Sequence, residues 1–339
     1  MLIRRATALL SVVALSLVGC SSGIADRSAD AHALTANIRK LAGVVSAADD
    51  VAHNEPQGMV FFRLYVDVNE NINSKQIAEI VTTYLRGTED ARYSGYRLEL
   101  DLRQGWNLFA VDSGQLPITN RGQVISQASD WVELRRDFPS ATVRVRATIS
   151  HPDGQIPDQD AGHSNVAALD LASPADYTAV VAAAHHIADR FPQLSQLDWV
   201  INAAKEHPAE IKTSRRLPTP PELAVFSRLN ADQSIPHVDR LRINGPVTPP
   251  VWFSEQTTES HDVALALQLA KNHLPVVATL PAPILYSASD ELSGHIGGLG
   301  FARGPVAITV GGCTRHDPLV YQPIPEERRL IAEYETCAS

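Results

Sequence analysis

Basic residues are too few in this sequence to outnumber the acidic ones: 29 lysines and arginines stand against 38 aspartates and glutamates, and the formal charge is -9. Without a basic excess the chain has little with which to displace counterions from a phosphate backbone, so general nucleic-acid binding is excluded. Gly-x-Ser-x-Gly, Walker and His-Glu-x-x-His motifs are also absent, and no catalytic activity is predicted. The chain is 44% hydrophobic, which is enough to build real cores and to rule out global disorder.

The sequence also lacks an apolar run of about 20 residues, which is the length that a membrane-spanning helix needs. The apolar run at residues 6–18 is shorter, and it follows the basic pair Arg4 and Arg5. A basic start followed by a short apolar run is typical of a secretory signal peptide. The sequence therefore predicts an exported protein.

The motif Leu17-Val18-Gly19-Cys20 at the end of this run resembles the lipobox of bacterial lipoproteins. The resemblance implies that residues 1–19 are removed and that Cys20 becomes the lipidated first residue of the mature chain. It also implies a lipid-anchored protein on the extracytoplasmic face of the cell membrane. A composition rich in Ala, Arg, Asp and Val and poor in Met suggests an actinobacterial type. The alternative is a plain signal peptide that happens to contain a cysteine.

The remaining cysteines, Cys313 and Cys337, are predicted to form a disulfide, because export places both in an oxidising compartment. In the loop-closure treatment, a bridge over this segment removes chain entropy equivalent to about 3–4 kcal/mol. Two free thiols, one of them reactive, are the alternative. A redox-active pair is not expected, because Cys-x-x-Cys spacing is absent.

The order of predicted elements gives a fold class. Between residues 59 and 150 the pattern is β-α-β-β-α-β, and a second set of the same order follows residue 164. This order predicts tandem ferredoxin-like (βαββαβ) modules of the α+β class, each an antiparallel sheet with its helices on one face. The topology resembles small ferredoxin-like modules, including the ring-building domains of secretion-system lipoproteins.

The predicted organisation has five parts, and the first is the signal peptide at residues 1–19. Residues 20–33, which are small and polar, form a tether, and residues 34–150 form the first α+β module. Residues 151–163, rich in Pro, Gly and Asp, form a linker. Residues 164–339 form the second module with carboxy-terminal additions.

Strict alternation in the first module separates a core face from an outer face. The core is expected to contain strand residues Val60, Phe62, Leu64, Leu98, Leu100, Val143 and Val145, under helices that carry Ile77, Ile80, Ile125 and Trp131. The outer face is a candidate partner interface, because aromatic residues and arginine are enriched at protein contacts. Its candidate residues are Phe61, Arg63, Tyr65, Arg97, Arg144 and Arg146. A solvated face of cross-strand ion pairs is the alternative.

Three other groups contain residue types that bind anions or metal ions. The glycine-rich stretch 294–300 lacks Gly-x-Gly-x-x-Gly spacing, which favours a loop over an anion-binding nest. His185 and His186 are adjacent on a helix and point about 100° apart, so they cannot share an ion. The acidic loop with Asp153, Asp158, Asp160 and His163 lacks the spacing of an EF-hand. No cofactor and no metal ion are therefore predicted.

These observations predict a non-enzymatic cell-envelope lipoprotein, tethered to the membrane by its lipid, that binds a protein or envelope partner. The first alternative is a tethered small-ligand-binding protein with a cleft between its two domains. The second is an unrecognised hydrolase.

Overall fold

The computed structural model describes residues 23–89, 93–152, 164–258 and 260–337. Within these ranges twelve strands form one continuous mixed sheet, in which the spatial order of the strands equals their order along the chain. The strands are β1 (Val44–Asn54), β2 (Met59–Val68), β3 (Arg97–Gln104), β4 (Asn107–Asp112), β5 (Thr142–Arg146), β6 (Val166–Asp170), β7 (Asp198–Asn202), β8 (Ala209–Thr213), β9 (His237–Ile243), β10 (Val251–Thr257), β11 (Ile284–Ser289) and β12 (Ala307–Val310). The α-helices are α1 (Ser28–Ile38), α2 (Ser74–Gly87), α3 (Arg121–Asp137), α4 (Tyr177–Arg190), α5 (Pro220–Ala231), α6 (Val263–Val277) and α7 (Pro325–Tyr334).

Parallel and antiparallel pairings alternate across the sheet. Each strand–helix–strand unit, such as β2–α2–β3, pairs its two strands in parallel, and the next strand pairs antiparallel. The prediction of tandem ferredoxin-like sandwiches is therefore wrong. In that arrangement an antiparallel strand separates the two strands of each unit, whereas here Phe62 of β2 lies directly beside Leu98 of β3. Element order is compatible with both arrangements, and only tertiary pairing distinguishes them.

The sheet runs unbroken through the middle of the chain. β5 pairs antiparallel with β6, with Val143 opposite Leu169, so strands on both sides of the predicted linker 151–163 belong to one sheet. Residues 153–163 of that linker lie outside the described residues.

The helices pack against one face of the sheet, and the alternation of the strands follows this layering. The seven strand residues expected in the core are all buried, as are Ile77, Ile80 and Trp131 of the helices. Ile125 is half-buried against the same cluster. Arg97 and Glu99 point to the opposite face of the sheet and are partly exposed. This register of β3 is favoured because a slip of one residue would place both charges in the core.

Local sequence signals explain where several helices begin. Asn73 and Gln76 form a capping box at the start of α2: the Asn73 side chain accepts from Gln76 N, and the Gln76 side chain accepts from Asn73 N, at 3.0 Å each. Asp176 caps α4 by accepting from Thr178 N at 2.9 Å. These caps satisfy amide groups that have no partner within the helix.

The segment predicted as a tether is folded against the body from Ile24 onward. Ile24 packs on the hydrophobic core, and its carbonyl accepts a hydrogen bond from His53 Nε2 at 2.7 Å. Arg27 N donates to the Tyr96 hydroxyl at 3.0 Å, and α1 begins at Ser28. Residues 24–33 are therefore part of the domain, since Ile24 and Ala31 pack on its core.

The carboxy-terminal segment is closed by the predicted disulfide. Cys313 and Cys337 form a disulfide bond with their Cα atoms 4.8 Å apart, which confirms the pairing. The bond links the loop after β12 to the residues that follow α7.

Candidate functional site

The face of the sheet opposite the helices is polar from β2 to β9, and we call this surface the open face. It carries eight basic and seven acidic side chains: Arg63, Arg97, Arg103, Arg144, Arg146, Lys212, Arg240 and Arg242, with Asp67, Glu99, Asp101, Asp112, Asp170, Asp198 and Glu210. The near balance of signs means that this surface has no strong attraction for a polyanion.

Arginines on β2 and β3 are held between carboxylates and aromatic rings. Arg63 forms an ion pair with Glu99, which also contacts Arg97 Nε at 2.6 Å. The guanidinium of Arg63 lies 5.8 Å from the Phe61 ring centroid. Arg103 lies 4.7 Å from the Tyr65 ring centroid. These contacts hold planar donors and aromatic rings in fixed positions at the surface.

Arg97 is further fixed by Asp112 of β4. Its Nη2 donates to Asp112 Oδ2 at 2.7 Å, and this hydrogen bond raises the pKa of the Arg97 guanidinium. Asp112 is only 4% exposed, because the arginine covers it. Arg97 therefore remains charged at any physiological pH.

On β5 the two predicted interface arginines differ. Arg144 Nη2 donates to Asp170 Oδ2 at 2.5 Å, whereas Arg146 forms no hydrogen bond or ion pair with any described residue. Arg146 and Ala110 line a depression of about 330 Å³ in the open face, together with Arg63, Tyr65 and Arg97. The structure thus brings four of the six predicted interface residues to one depression, and Phe61 and Arg144 lie outside its lining.

Over β10–β12 the corresponding face is covered by the chain itself. Trp252 and Leu285 are buried there with Val247, and Ile296 of the β11–β12 connection packs on them. Arg242 lies 4.9 Å from the Trp252 ring centroid, at the border with the open face. The strand side chains on the covered part are apolar or neutral polar, such as Ser254, which donates to the Leu292 carbonyl, so the charged pattern is confined to the uncovered part.

On the helix side, a polar cluster is buried where core side chains are expected. Its members are His237 and Asp239 of β9, Glu255 of β10, His273 of α6 and Tyr286 of β11. Asp239 and Glu255 are direct cross-strand partners, with Phe253 and Leu241 as the next pair on the same face. We call these five side chains the buried cluster.

Glu255 is the centre of the buried cluster. It is 0% exposed, and its two oxygens contact His273 Nδ1 at 2.7 Å and accept from the Tyr286 hydroxyl at 2.5 Å. On its other side, His273 Nε2 lies 3.3 Å from Asp232 Oδ2. The Asp232 side chain is 41% exposed, so this chain of contacts runs from the protein surface to the core.

His237 and Asp239 have fewer hydrogen-bond partners among the described residues than Glu255 has. His237 Nδ1 donates to the Ile235 carbonyl at 2.6 Å. Its Nε2 lies 3.3 Å from Asp239 Oδ2 without the alignment of a hydrogen bond. Neither carboxylate oxygen of Asp239 has a hydrogen-bond partner among the described residues. Such unpaired buried polar atoms are rare in folded proteins.

The electrostatics of the buried cluster follow from burial and from its carboxylates. Burial lowers the pKa of His237, but the Asp239 carboxylate outweighs it and raises this pKa to about 9. Burial raises the pKa of Asp239 to about 6, despite the opposing effect of His237. Burial raises the pKa of Tyr286 well above its usual value, so its hydroxyl stays protonated as the donor to Glu255.

Two pockets lie beside the buried cluster at the end of the sheet where β6 and β7 finish. One, of about 550 Å³, is lined by Asp170, Asn202, Glu210, Val238, Asp239 and Leu292 among others. The other, of about 310 Å³, is lined by Asp176, Tyr177, Asn230, Gln233, His237 and Val238 among others. Both reach the first residues of β9, and neither has the position of a cleft between two separate modules.

Sequence reasoning missed the buried cluster, although a signal for it exists. The alternation of β9 places His237 and Asp239 in line with Leu241 and Ile243, on the core face. Glu255 follows Phe253 on the core face of β10 in the same way. Ionisable residues at successive core positions indicate a functional or structural polar site, and the pattern can be read without coordinates.

Among the described residues, the histidine pair and the glycine-rich stretch form no shared site. His186 Nε2 contacts Asp137 Oδ2 at 2.7 Å, and His185 lies beside it without sharing this partner. The glycine-rich stretch lies in the connection between β11 and β12. Asp153, Asp158, Asp160 and His163 lie outside the described residues, as does Cys20.

No known protein family, curated protein sequence or solved structure gives a significant match to this chain. In the part of the chain that the structure describes, no helix has the length and apolar content needed to cross a bilayer.

Proposed function

We propose that this protein is a non-enzymatic cell-envelope lipoprotein, anchored by a lipid on Cys20 to the extracytoplasmic face of the cell membrane, which binds a protein partner through its open face. The lipobox resemblance at residues 17–20 supports the anchor. The disulfide between Cys313 and Cys337 supports an oxidising location, because such bonds persist outside the cytoplasm.

The observation that carries the partner-binding proposal is the organisation of the open face around Arg146. This arginine has no ion-pair partner among the described residues, and it borders a depression lined by arginines that are held in place by Glu99 and Asp112. Arginines and aromatic rings that are fixed before binding lose little conformational freedom on association. The surface is therefore suited to a partner that presents carboxylates.

The charge balance of the open face favours a protein partner over a nucleic acid. A protein surface offers both signs and can match a face on which acidic and basic side chains alternate. A small-ligand-binding function is the second candidate, and the pocket of about 550 Å³ beside β6–β9 favours it.

Site-specific photocrosslinking in intact cells tests the proposal. Benzoylphenylalanine placed at Tyr65 on the open face should give a discrete protein adduct, and the second substitution Arg146→Glu should reduce the adduct at least fivefold. Benzoylphenylalanine at Ala224, an exposed position on α5, is the matched control and should give none.

The charge change has its own control. Arg228 of α5 is exposed and lies on the helix side, so Arg228→Glu changes the net charge equally and should leave the Tyr65 adduct unchanged. Equal adducts from Tyr65 and Ala224, or no protein adduct from Tyr65, would contradict partner binding at the open face. The latter result would favour the small-ligand function.

A further inference from the structure

We propose that the buried cluster is a metal site in which His237, Asp239, Glu255 and His273 bind one divalent transition-metal ion of the zinc class. The site is independent of the open face, from which the sheet itself separates it. The proposal goes beyond the function proposed above.

The donor set is that of a zinc or manganese site. One ring nitrogen from each histidine and one oxygen of Glu255 already lie within 4.8 Å of one another. Zinc holds such ligands at about 2.0–2.2 Å, which places ligand atoms roughly 3.3 Å apart in a tetrahedron. No pair in this group has to close by more than about 1.5 Å, while His273 Nδ1 and Glu255 Oε1, now 2.7 Å apart, must separate by about 0.6 Å when the ion binds between them. Asp239 lies outside this group, with its Oδ2 3.3 Å from His237 Nε2, and must move toward the ion as well.

The unpaired atoms of the cluster indicate where the ion sits. His237 Nδ1 donates to the Ile235 carbonyl at 2.6 Å, which leaves Nε2 as the ring nitrogen that binds the ion once the ion has displaced its proton. Metal-binding histidines are commonly oriented by this kind of carbonyl contact. Both oxygens of Asp239 also lack a hydrogen-bond partner among the described residues, so the ion supplies what His237 and Asp239 are missing.

Two further side chains, which are not ligands themselves, form hydrogen bonds to the proposed ligands and orient them. The Tyr286 hydroxyl donates to Glu255 at 2.5 Å, and Asp232 contacts His273 Nε2 at 3.3 Å. Tyr286 orients the carboxylate and Asp232 orients the imidazole, as partners outside the ligand shell of zinc sites do.

Charge balance favours a divalent ion. The ion displaces the ring protons when it binds, so in the occupied site the imidazoles are neutral and Asp239 and Glu255 bring two negative charges to directly opposite, buried positions on neighbouring strands. Buried like charges at this spacing repel strongly unless they are compensated. One divalent ion neutralises the pair and at the same time satisfies the unpaired atoms.

Cys313, Glu335 and Cys337 form the other group of possible ligands within 4.8 Å of one another in the described residues. Its two sulfur atoms are bonded to each other in the disulfide and are not thiolates. The proposed site, in contrast, consists of histidines and carboxylates, so its ligand atoms are nitrogen and oxygen only. Such ligands favour zinc or manganese over copper(I).

The experiment uses the full-length lipoprotein purified in detergent. Elemental analysis of the protein as purified should find one zinc or manganese ion per chain. After the metal is removed with a chelator, calorimetric titration with zinc chloride should show one site, and magnesium chloride should not compete. Absorption at the zinc edge should show nitrogen and oxygen neighbours near 2.0–2.1 Å and no sulfur near 2.3 Å.

Variants connect the binding to the cluster. His237→Gln and Glu255→Gln should each weaken zinc binding by more than about 100-fold, because each removes a direct ligand. His316→Gln is the matched control: His316 is half-buried, its ring nitrogens also lack hydrogen-bond partners among the described residues, and it lies outside the cluster. Its zinc affinity should equal that of the wild type.

A wild-type chain that is metal-free as purified and takes up no zinc would overturn the proposal, and would mean that two protonated imidazoles balance the carboxylates. Sulfur at the zinc edge, or zinc binding unaffected by both ligand variants, would overturn it as well. The wild-type spectrum decides the question even if a ligand variant fails to fold.

Discussion

Glu222, at the start of α5, is a buried carboxylate that accepts hydrogen bonds both from Arg216 in the preceding loop and from Thr219 at the helix cap. Its two oxygens accept from Arg216 Nη1 and Nη2 at 2.8 Å each, and one of them also accepts from Thr219 N at 2.6 Å. Burial acts to raise the pKa of Glu222, but these hydrogen bonds outweigh it and lower the pKa below its usual value. The folded state therefore favours the ionised carboxylate, and this preference contributes to stability.

We expect Glu222→Gln to lower the free energy of unfolding by about 1–3 kcal/mol at neutral pH. The wild-type contribution is present above the unfolded pKa of 4.5 and is lost as the pH falls through the lower folded pKa. Urea denaturation at neutral pH and at about pH 3 should show the difference shrinking in acid.

Glu89→Gln is the control for this prediction, because the Glu89 side chain is 62% exposed in its pair with Arg121. An exposed pair of this kind contributes about 0.5 kcal/mol or less. A loss as large as that of Glu222→Gln would argue against the role given to burial and the helix cap.

Strands are the elements in which sequence and structure agree most closely, and β2 shows why. Phe61 and Phe62 are neighbours of the same type on opposite faces of the sheet. Phe62 is fully buried, with Tyr84 and Tyr93 at ring-centroid distances of 6.2 and 5.8 Å. Phe61 lies on the open face beneath Arg63 and is half-buried. The pair offers a matched test of the core assignment.

We expect Phe62→Ala to destabilise the protein by about 3–5 kcal/mol, because it removes a buried ring and leaves a cavity. Phe61→Ala should lose about 1 kcal/mol or less, since the ring is partly solvated in the folded state. The shift in the urea midpoint of each variant measures the difference. Equal shifts would mean that β2 does not present Phe62 to the core.

At the scale of the whole molecule, the amino-terminal segment fixes how a lipid anchor would orient the domain. Ile24 packs beside Gly95, whose φ of +86° and missing Cβ leave room: a Cβ there would lie 2.7 Å from Ile24 Cδ1. Four residue steps separate Cys20 from Ile24, and they span at most about 14 Å. With the proposed lipid on Cys20, we expect the end of the domain with Pro56 to face the membrane and the Trp106 turn to lie a strand length of about 33 Å farther away.

We expect benzoylphenylalanine at Pro56 to crosslink to membrane lipid several-fold more than at Trp106, although Trp106 is 88% exposed. Mass spectrometry of the adducts provides the measurement, and the same spectra should show acylated Cys20 as the first residue. Cys20→Ala should abolish acylation and leave residues 1–19 uncleaved. Strong lipid adducts at Trp106 would contradict this orientation.

The sequence by itself determined the faces of the strands, and it predicted the pairing of the cysteines. Alternation specifies a face because a one-residue slip would bury Arg63 and Glu99, and this penalty is local to each strand. The cysteine pairing is predicted from export to an oxidising compartment, with two free thiols as the alternative, and the structure confirms it by joining Cys313 and Cys337. The core residues of β2, β3 and β5 could be named for the first reason.

Only the tertiary structure decided which strands are neighbours and which polar residues meet. The order β-α-β-β-α-β permits a split antiparallel sheet as well as directly paired parallel strands, because pairing energy depends on side chains from distant segments. His273 lies 18 residues after Glu255 and on a different element, yet their side chains are 2.7 Å apart. No spacing motif encodes such a contact, since it exists only once α6 has packed on β10.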